Sequence, residues 1–211
     1  MVMALGMNLS SEGGSGGSKF LQAVKFDAKS GDLVAVNRIP MPDMTWEKED
    51  VEISYPVKVV MDLANIKIGW ITFAPKYNAE WANAGERVPA KPSDDHKQAV
   101  YLKVFFKEHG LREFTPTSKT VLRAIDQLHD AYLSAADAHP GKFPVVTIEG
   151  TETVKVQTPQ GELRFKAPKW SITGWTDWPA ETAAPPAEAP AKPAPSAKKI
   201  LASAPVDVDE F

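Results

Sequence analysis

Between Gln98 and Lys107 the side chains alternate with period two, and one of the two sets mixes rings with ammonium groups. Tyr101, Lys103, Phe105 and Lys107 share that face, while Val100, Leu102, Val104 and Phe106 share the other. Rings stack on nucleobases and lysines neutralise phosphates, so the mixed face suits a single-stranded nucleic acid. The chemistry is recognition without bond making. The same alternation also fits a strand covered on both sides, with its rings packed beneath an N-terminal hairpin.

More residues of the same types lie upstream. A strand over Ile66 to Phe73 carries Lys67, Ile71 and Phe73 on one face and Ile66, Ile68 and Trp70 on the other. Trp70 reads as core. Residues 74 to 96 form a long connection rich in proline, alanine and charge, and loops of that length are either functional or disordered. Tyr77, Trp81 and Arg87 lie in it, offering two rings and a cation to a ligand, or staples that fix the loop to the body. The candidate DNA-binding set is therefore Tyr101, Lys103, Phe105, Lys107, Lys67, Phe73, Tyr77, Trp81 and Arg87.

Reactive constellations are not evident. The four histidines, His96, His109, His129 and His139, lack zinc-site spacing, and His129 has no HExxH partner. Lys29-Ser30-Gly31 lacks the upstream glycine of a phosphate-binding loop, and no nucleophile elbow is present. The expectation is a non-enzyme with no metal and no cofactor.

One helix must stand among the strands that position these residues. Thr115-Pro116 reads as an N-cap followed by proline at the first helical position. Val121, Ile125, Leu128 and Tyr132 then recur every three or four residues, and Pro140-Gly141 closes the run. Strands are expected at Lys19 to Phe26 and Leu33 to Ile39, as a hairpin around Gly31, and over Val51 to Leu63. Further strands are expected at Phe143 to Ile148, Thr153 to Val156, Leu163 to Phe165 and Lys169 to Thr176, with Trp170, Trp175 and Trp178 in the core or at its edge. Strand, strand, strand, helix, strand, strand is the order of an OB-fold-like antiparallel barrel, with its helix between strands 3 and 4.

Composition sets the boundaries. Residues 1–18 read as a flexible N-terminus, 19–179 as one OB-like domain with an N-terminal hairpin, and 180–211 as a disordered tail. The tail has ten alanines and six prolines and ends in Asp207-Val208-Asp209-Glu210-Phe211. Of the chain's 24 bases and 27 acids, this tail holds three and five, which leaves a body close to neutral. That balance gives no electrostatic advertisement for nucleic acid. No cysteine is present, which fits a reducing compartment, and no apolar run approaches the ~20 residues that span a bilayer. The expected location is the cytoplasm, without membrane association.

An OB-like body, an Ala/Pro tail and an acidic tip closed by an aromatic residue resemble single-stranded DNA-binding proteins, particularly those encoded by bacteriophages. The resemblance covers the layout of residues 51–211. It implies largely sequence-independent binding of single-stranded DNA in replication, recombination and repair, in a bacterial host's cytoplasm. It also implies recruitment of replication or recombination proteins through Asp207, Asp209, Glu210 and Phe211. The tip departs from the family pattern in its shortness and in lacking a proline before the last residue. The competing reading is a virion or assembly protein that uses the aromatic strand as a subunit interface.

Overall fold

The computed structural model describes residues 21–42, 45–159 and 161–179. It is mainly β with one helix. The strands are β1 (Gln22–Phe26), β2 (Leu33–Pro40), β3 (Trp46–Ile53), β4 (Val57–Met61), β5 (Lys67–Thr72), β6 (Asn78–Asn83), β7 (Lys97–Phe106), β8 (Gly110–Phe114), β9 (Phe143–Thr158) and β10 (Gly161–Thr176). The helix, α1 (Lys119–Ala136), stands between β8 and β9.

The hydrogen-bonded path runs β10-β9-β4-β7-β8-β1-β2-β3, and β5 joins it through β7 while pairing β6 on its other side. The two ends of this path, β10 and β3, do not pair, so the expected closed barrel is corrected to an open, curled sheet. Curling brings distant strands over one core. Val24, Leu33, Met61, Val104, Phe106, Phe114 and Ile148 are all buried in it, and α1 adds Val121, Ile125 and Leu128. The apolar set of β7 is thus core, as its alternation implies.

The N-terminal hairpin extends the sheet and does not cover it: β1 pairs β8 in parallel, side by side. This removes the reading in which the β7 rings lie packed beneath it. The hairpin turn does close on the far end of the sheet, where Lys166 donates its N–H to Ala28 O at 2.7 Å. Gly31, at φ +92°, sits there against Thr151 and Lys166.

Arg112 locks the hairpin away from its turn, where β1 meets β8. It is 4% exposed and donates to Ala23 O and Val36 O (both 3.2 Å), His109 O (3.1 Å) and Asn37 Oδ1 (2.6 Å). One guanidinium fork thereby satisfies acceptors from β1, β2 and the β7–β8 turn. Burial holds its pKa below the usual arginine value.

Several expected boundaries move. Val51 to Leu63 is not one strand: β3 ends at Ile53, and a cis Tyr55-Pro56 bond precedes β4. The connection over 74–96 contains β6. The four short strands after the helix are two, β9 and β10, paired along their length with register shifts at Lys169/Trp170 and Ile172/Gly174. The helix begins at Lys119 after Ser118, three residues beyond the expected Thr115-Pro116 start. Pro116 is instead buried beside β7, its carbonyl accepting from Val100 N–H at 3.4 Å. Trp170 anchors α1 to β10 by donating its indole N–H to Ala124 O at 3.1 Å. No helix of the described residues is long and apolar enough to cross a membrane.

Candidate nucleic-acid interface

β4 and β5 lie in line along one edge of β7, and the break between them makes a cleft. Met61 stands opposite Val104 and Lys67 opposite Tyr101, so residues 62–66 face only Leu102 and Lys103. The surplus chain must leave the sheet plane. Leu63 and Ile66 anchor it in the core at 0% and 3% exposure. Asp62 closes it as an Asx-type turn, its carboxylate accepting from Asn65 N–H at 3.3 Å and from Asn65 Nδ2 at 2.9 and 3.1 Å. Asp62 N–H still reaches Lys103 O at 3.0 Å.

The cleft has a volume of about 540 Å³ and is lined by Asp62, Asn65, Lys67, Trp81, Asn83, Tyr101 and Lys103. Four of the nine expected binding residues therefore meet here: Lys67, Trp81, Tyr101 and Lys103. Register explains it. Lys67 lies between Asn83 and Tyr101, and the next row on the same face is Trp81, Gly69 and Ala99. Gly69 has no side chain for a physical reason, since a Cβ there would lie 1.8 Å from Glu80 O. The Trp81 and Tyr101 rings lean together diagonally, with centroids 5.9 Å apart at 50°, and the Lys67 ammonium stands 5.9 Å over the Tyr101 ring.

The other five expected residues are distributed differently. Phe105 shares the outward face of β7 but is half-buried between Val60 and Leu111 in the register, outside the cleft lining. Phe73 and Tyr77 are 63% and 60% exposed just beyond β5, with centroids 6.2 Å apart. Tyr77 is close enough to Glu113 for that carboxylate, after burial, to raise its pKa, and Tyr101 responds in the same direction to burial, Glu113, Tyr77 and Asp62. Tyr77 and Phe73 are thus an exposed ring pair outside the cleft lining. Lys107 lies in the turn after β7, and Arg87 in the exposed connection after β6, neither of them lining the cleft. Asp207, Asp209, Glu210 and Phe211 lie outside the described residues, as do the expected flexible N-terminus and the rest of the Ala/Pro tail.

Trp81 is not a loop residue but part of β6, and Trp70 holds the connection after β6 by donating its indole N–H to Pro89 O at 2.8 Å. Sequence reasoning missed Asp62, Asn65 and Asn83. Their signal was local: Asp62/Asn65 and Asn83/Glu86 are both acid–amide pairs three residues apart, spaced to close turns.

Glu113 works against an anionic ligand. It stands opposite Lys103 in the β7–β8 register, and burial raises its pKa above 4.5 against the opposing influence of Arg38. Among the described residues no cluster of His, Asp and Glu could hold a metal ion. The arrangement offers rings to stack on, two ammonium groups and a set of amides, which is equipment for holding a flat polar ligand with a negative backbone. No family model, curated protein or solved structure matches the chain.

Proposed function

We propose that this protein binds single-stranded DNA in the cleft between β5, β6 and β7, largely without regard to sequence, as a non-catalytic component of replication, recombination or repair. The observation that carries the reading is the meeting of Lys67, Trp81, Tyr101 and Lys103 on one cleft. Two rings supply stacking and two ammonium groups supply phosphate neutralisation, the combination that retains single strands.

An OB-like relationship supports the same reading. The pairings β4 with β7, β7 with β8, β4 with β9 and β9 with β10, with α1 between β8 and β9, follow an OB strand order. In this view β1 and β2 occupy the position of the closing pair. OB-folds bind oligonucleotides on the face of their second and third strands and on the loop after the first. Those correspond here to β7, β8 and the excursion from Asp62 through β6. The acidic tip, Asp207 to Phe211, then recruits replication or recombination proteins, as in the phage-type proteins this layout resembles, and by its charge competes weakly with DNA for the cleft.

The test is a titration of labelled oligothymidine followed by anisotropy and by tryptophan quenching. Saturable binding with quenching that disappears in Trp81→Phe is expected, and no binding at low salt overturns the reading. One observation favours the second reading, an assembly protein: β3 is a terminal strand, and Trp46 on it is 65% exposed. Concentration-dependent self-association without oligonucleotide binding would select that reading instead.

A further inference from the structure

An open sheet has two ends, and in this one they carry opposite charge. At one end of the path, β3 holds Glu47, Glu49, Asp50 and Glu52 against a single base, Lys48, and all five are exposed. Lys48 is already engaged by Asp50. At the other end β9 and β10 run on past the body as a hairpin arm, since β4 pairs β9 only from Val145 to Ile148. Among the described residues, the outermost backbone bond from the arm to the body is Lys166 N–H to Ala28 O. From that Thr153–Lys166 row outward, Lys155, Arg164 and Lys166 stand against one acid, Glu162.

Neither surplus is relieved within one chain. Glu162 is shared between Lys155 Nζ at 3.4 Å and Arg164 Nε at 3.3 Å, two bases that stand directly opposite each other in the β9–β10 register. Both keep most of their side chains in solvent, at 61% and 70% exposure. Among the described residues no ion pair joins β3 to the arm. Both ends also leave a strand edge open. Glu162 to Phe165 pair with β9 alone, and β3 pairs with β2 alone. An open edge is a template for another strand.

We propose that copies of this chain associate head to tail, with the acidic edge of β3 in one copy pairing with the basic β10 edge of the arm in the next. The inference goes beyond the single-strand reading and stands whether or not that reading does. Charge selects the partner. Setting β3 against its copy opposes acid to acid, and setting arm against arm opposes base to base, whereas the unlike ends attract. The spacing fits too: Glu47 and Glu49 lie two apart on β3, as Arg164 and Lys166 do on β10, so each pair shares one face of its strand. Trp46 and Leu163, 65% and 46% exposed, lie on the opposite faces of the same strands and keep the apolar contact apart from the charged row. Such an interface uses different surfaces on the two copies, so each added copy leaves one of each open and the contact repeats.

The test is sedimentation velocity on the full chain over a range of concentrations, without oligonucleotide. The mass of the wild type should rise past the dimer with concentration in low salt and fall back when salt is raised. Glu47→Lys with Glu49→Lys makes both ends basic, and Lys155→Glu with Arg164→Glu makes both ends acidic; each double variant alone should lose the association. An equal mixture of the two double variants should regain it, because every basic end then finds an acidic one. All four positions are exposed, and melting curves check that each variant is folded. A wild type that stays monomeric at every concentration overturns the proposal and leaves these charges as guards of two unused edges. Growth that stops at a dimer, association indifferent to either reversal, or a mixture that fails to recover overturns it as well. No cleft residue is altered in these variants, so oligothymidine titrations of the same proteins report on the single-strand reading separately.

Discussion

Trp81 and Tyr101 belong to strands that do not pair with each other, yet their ring centroids lie 5.9 Å apart because β5 between them carries Gly69 at the crossing. The contact is a platform and not core: both rings are only half-buried, whereas Phe106 on the opposite face of β7 is 2% exposed. Trp81→Ala and Tyr101→Ala should each weaken oligonucleotide binding by roughly 1–3 kcal/mol. Because the rings touch, the double variant should lose less than the sum of the single effects. Phe106→Ala should instead destabilise the fold by about 3–5 kcal/mol. Titrations and denaturation curves on the four proteins check the separation.

The lysines divide by position. Lys67 and Lys103 line the cleft, while Lys107 sits in the β7–β8 turn although it continues the same alternation in the sequence. Lys67→Ala and Lys103→Ala should each reduce the salt slope of binding by about 0.7, one phosphate's share on a single strand. Lys107→Ala should leave the slope unchanged. A slope that falls with Lys107→Ala and not with Lys103→Ala would move the strand's path off the cleft and onto the turn.

Which residues could be read in advance follows from what each element buries. β7 and α1 were legible because each has one face in the core, which imprints a period of two or of 3.6 on the apolar residues. β3 was not: Trp46 to Asp50 are exposed throughout at the sheet edge, so Trp46-Glu47-Lys48-Glu49-Asp50 carries no alternation to read. β6 hid in a proline-rich stretch for the same reason, as it pairs only with β5 and has no fully buried residue. The helix start was displaced because Pro116 satisfies β7, a tertiary demand that local capping rules do not contain. The lysine and aromatic candidates were legible as types, but which of them meet depended on the five-residue excursion at Asp62, and that break in register is invisible to periodicity.

Gly69 ties the fold to the cleft. An alanine Cβ would collide with the Glu80 carbonyl at 1.8 Å, and the obstacle is backbone, so relief requires β6 to move away from β5. Gly69→Ala should cost about 1–3 kcal/mol of stability and should raise amide exchange selectively in β6, while α1 and the β9–β10 pair keep their protection. Displacing β6 carries Trp81 away from Tyr101, so oligonucleotide binding should fall at least as far as in Trp81→Ala. Uniform loss of protection across the sheet would show that β6 is integral to the core and not a movable wall of the site.

Glu113 supplies a pH dependence of stated sign. Burial, partly opposed by Arg38, raises its folded-state pKa above the ordinary 4.5, so the protonated form favours the fold. That contribution is complete below 4.5 and is lost as pH rises through the folded-state value. Glu113→Gln fixes a neutral side chain, so its melting temperature should match the wild type's in acid and exceed it progressively above that range. The same charge faces the cleft's lysine, since Glu113 stands opposite Lys103 and close enough to Tyr77 and Tyr101 to raise both phenols. Removing it should strengthen oligonucleotide binding at neutral pH by roughly two- to fivefold in low salt, and by less in high salt. The wild type should approach the variant's affinity as pH falls toward 4.5, because protonation then does what the substitution does. Affinity measured against pH for both proteins decides the point: a constant ratio at every pH would mean that Glu113 does not face the bound strand, and the path along β7 would have to be redrawn away from Lys103.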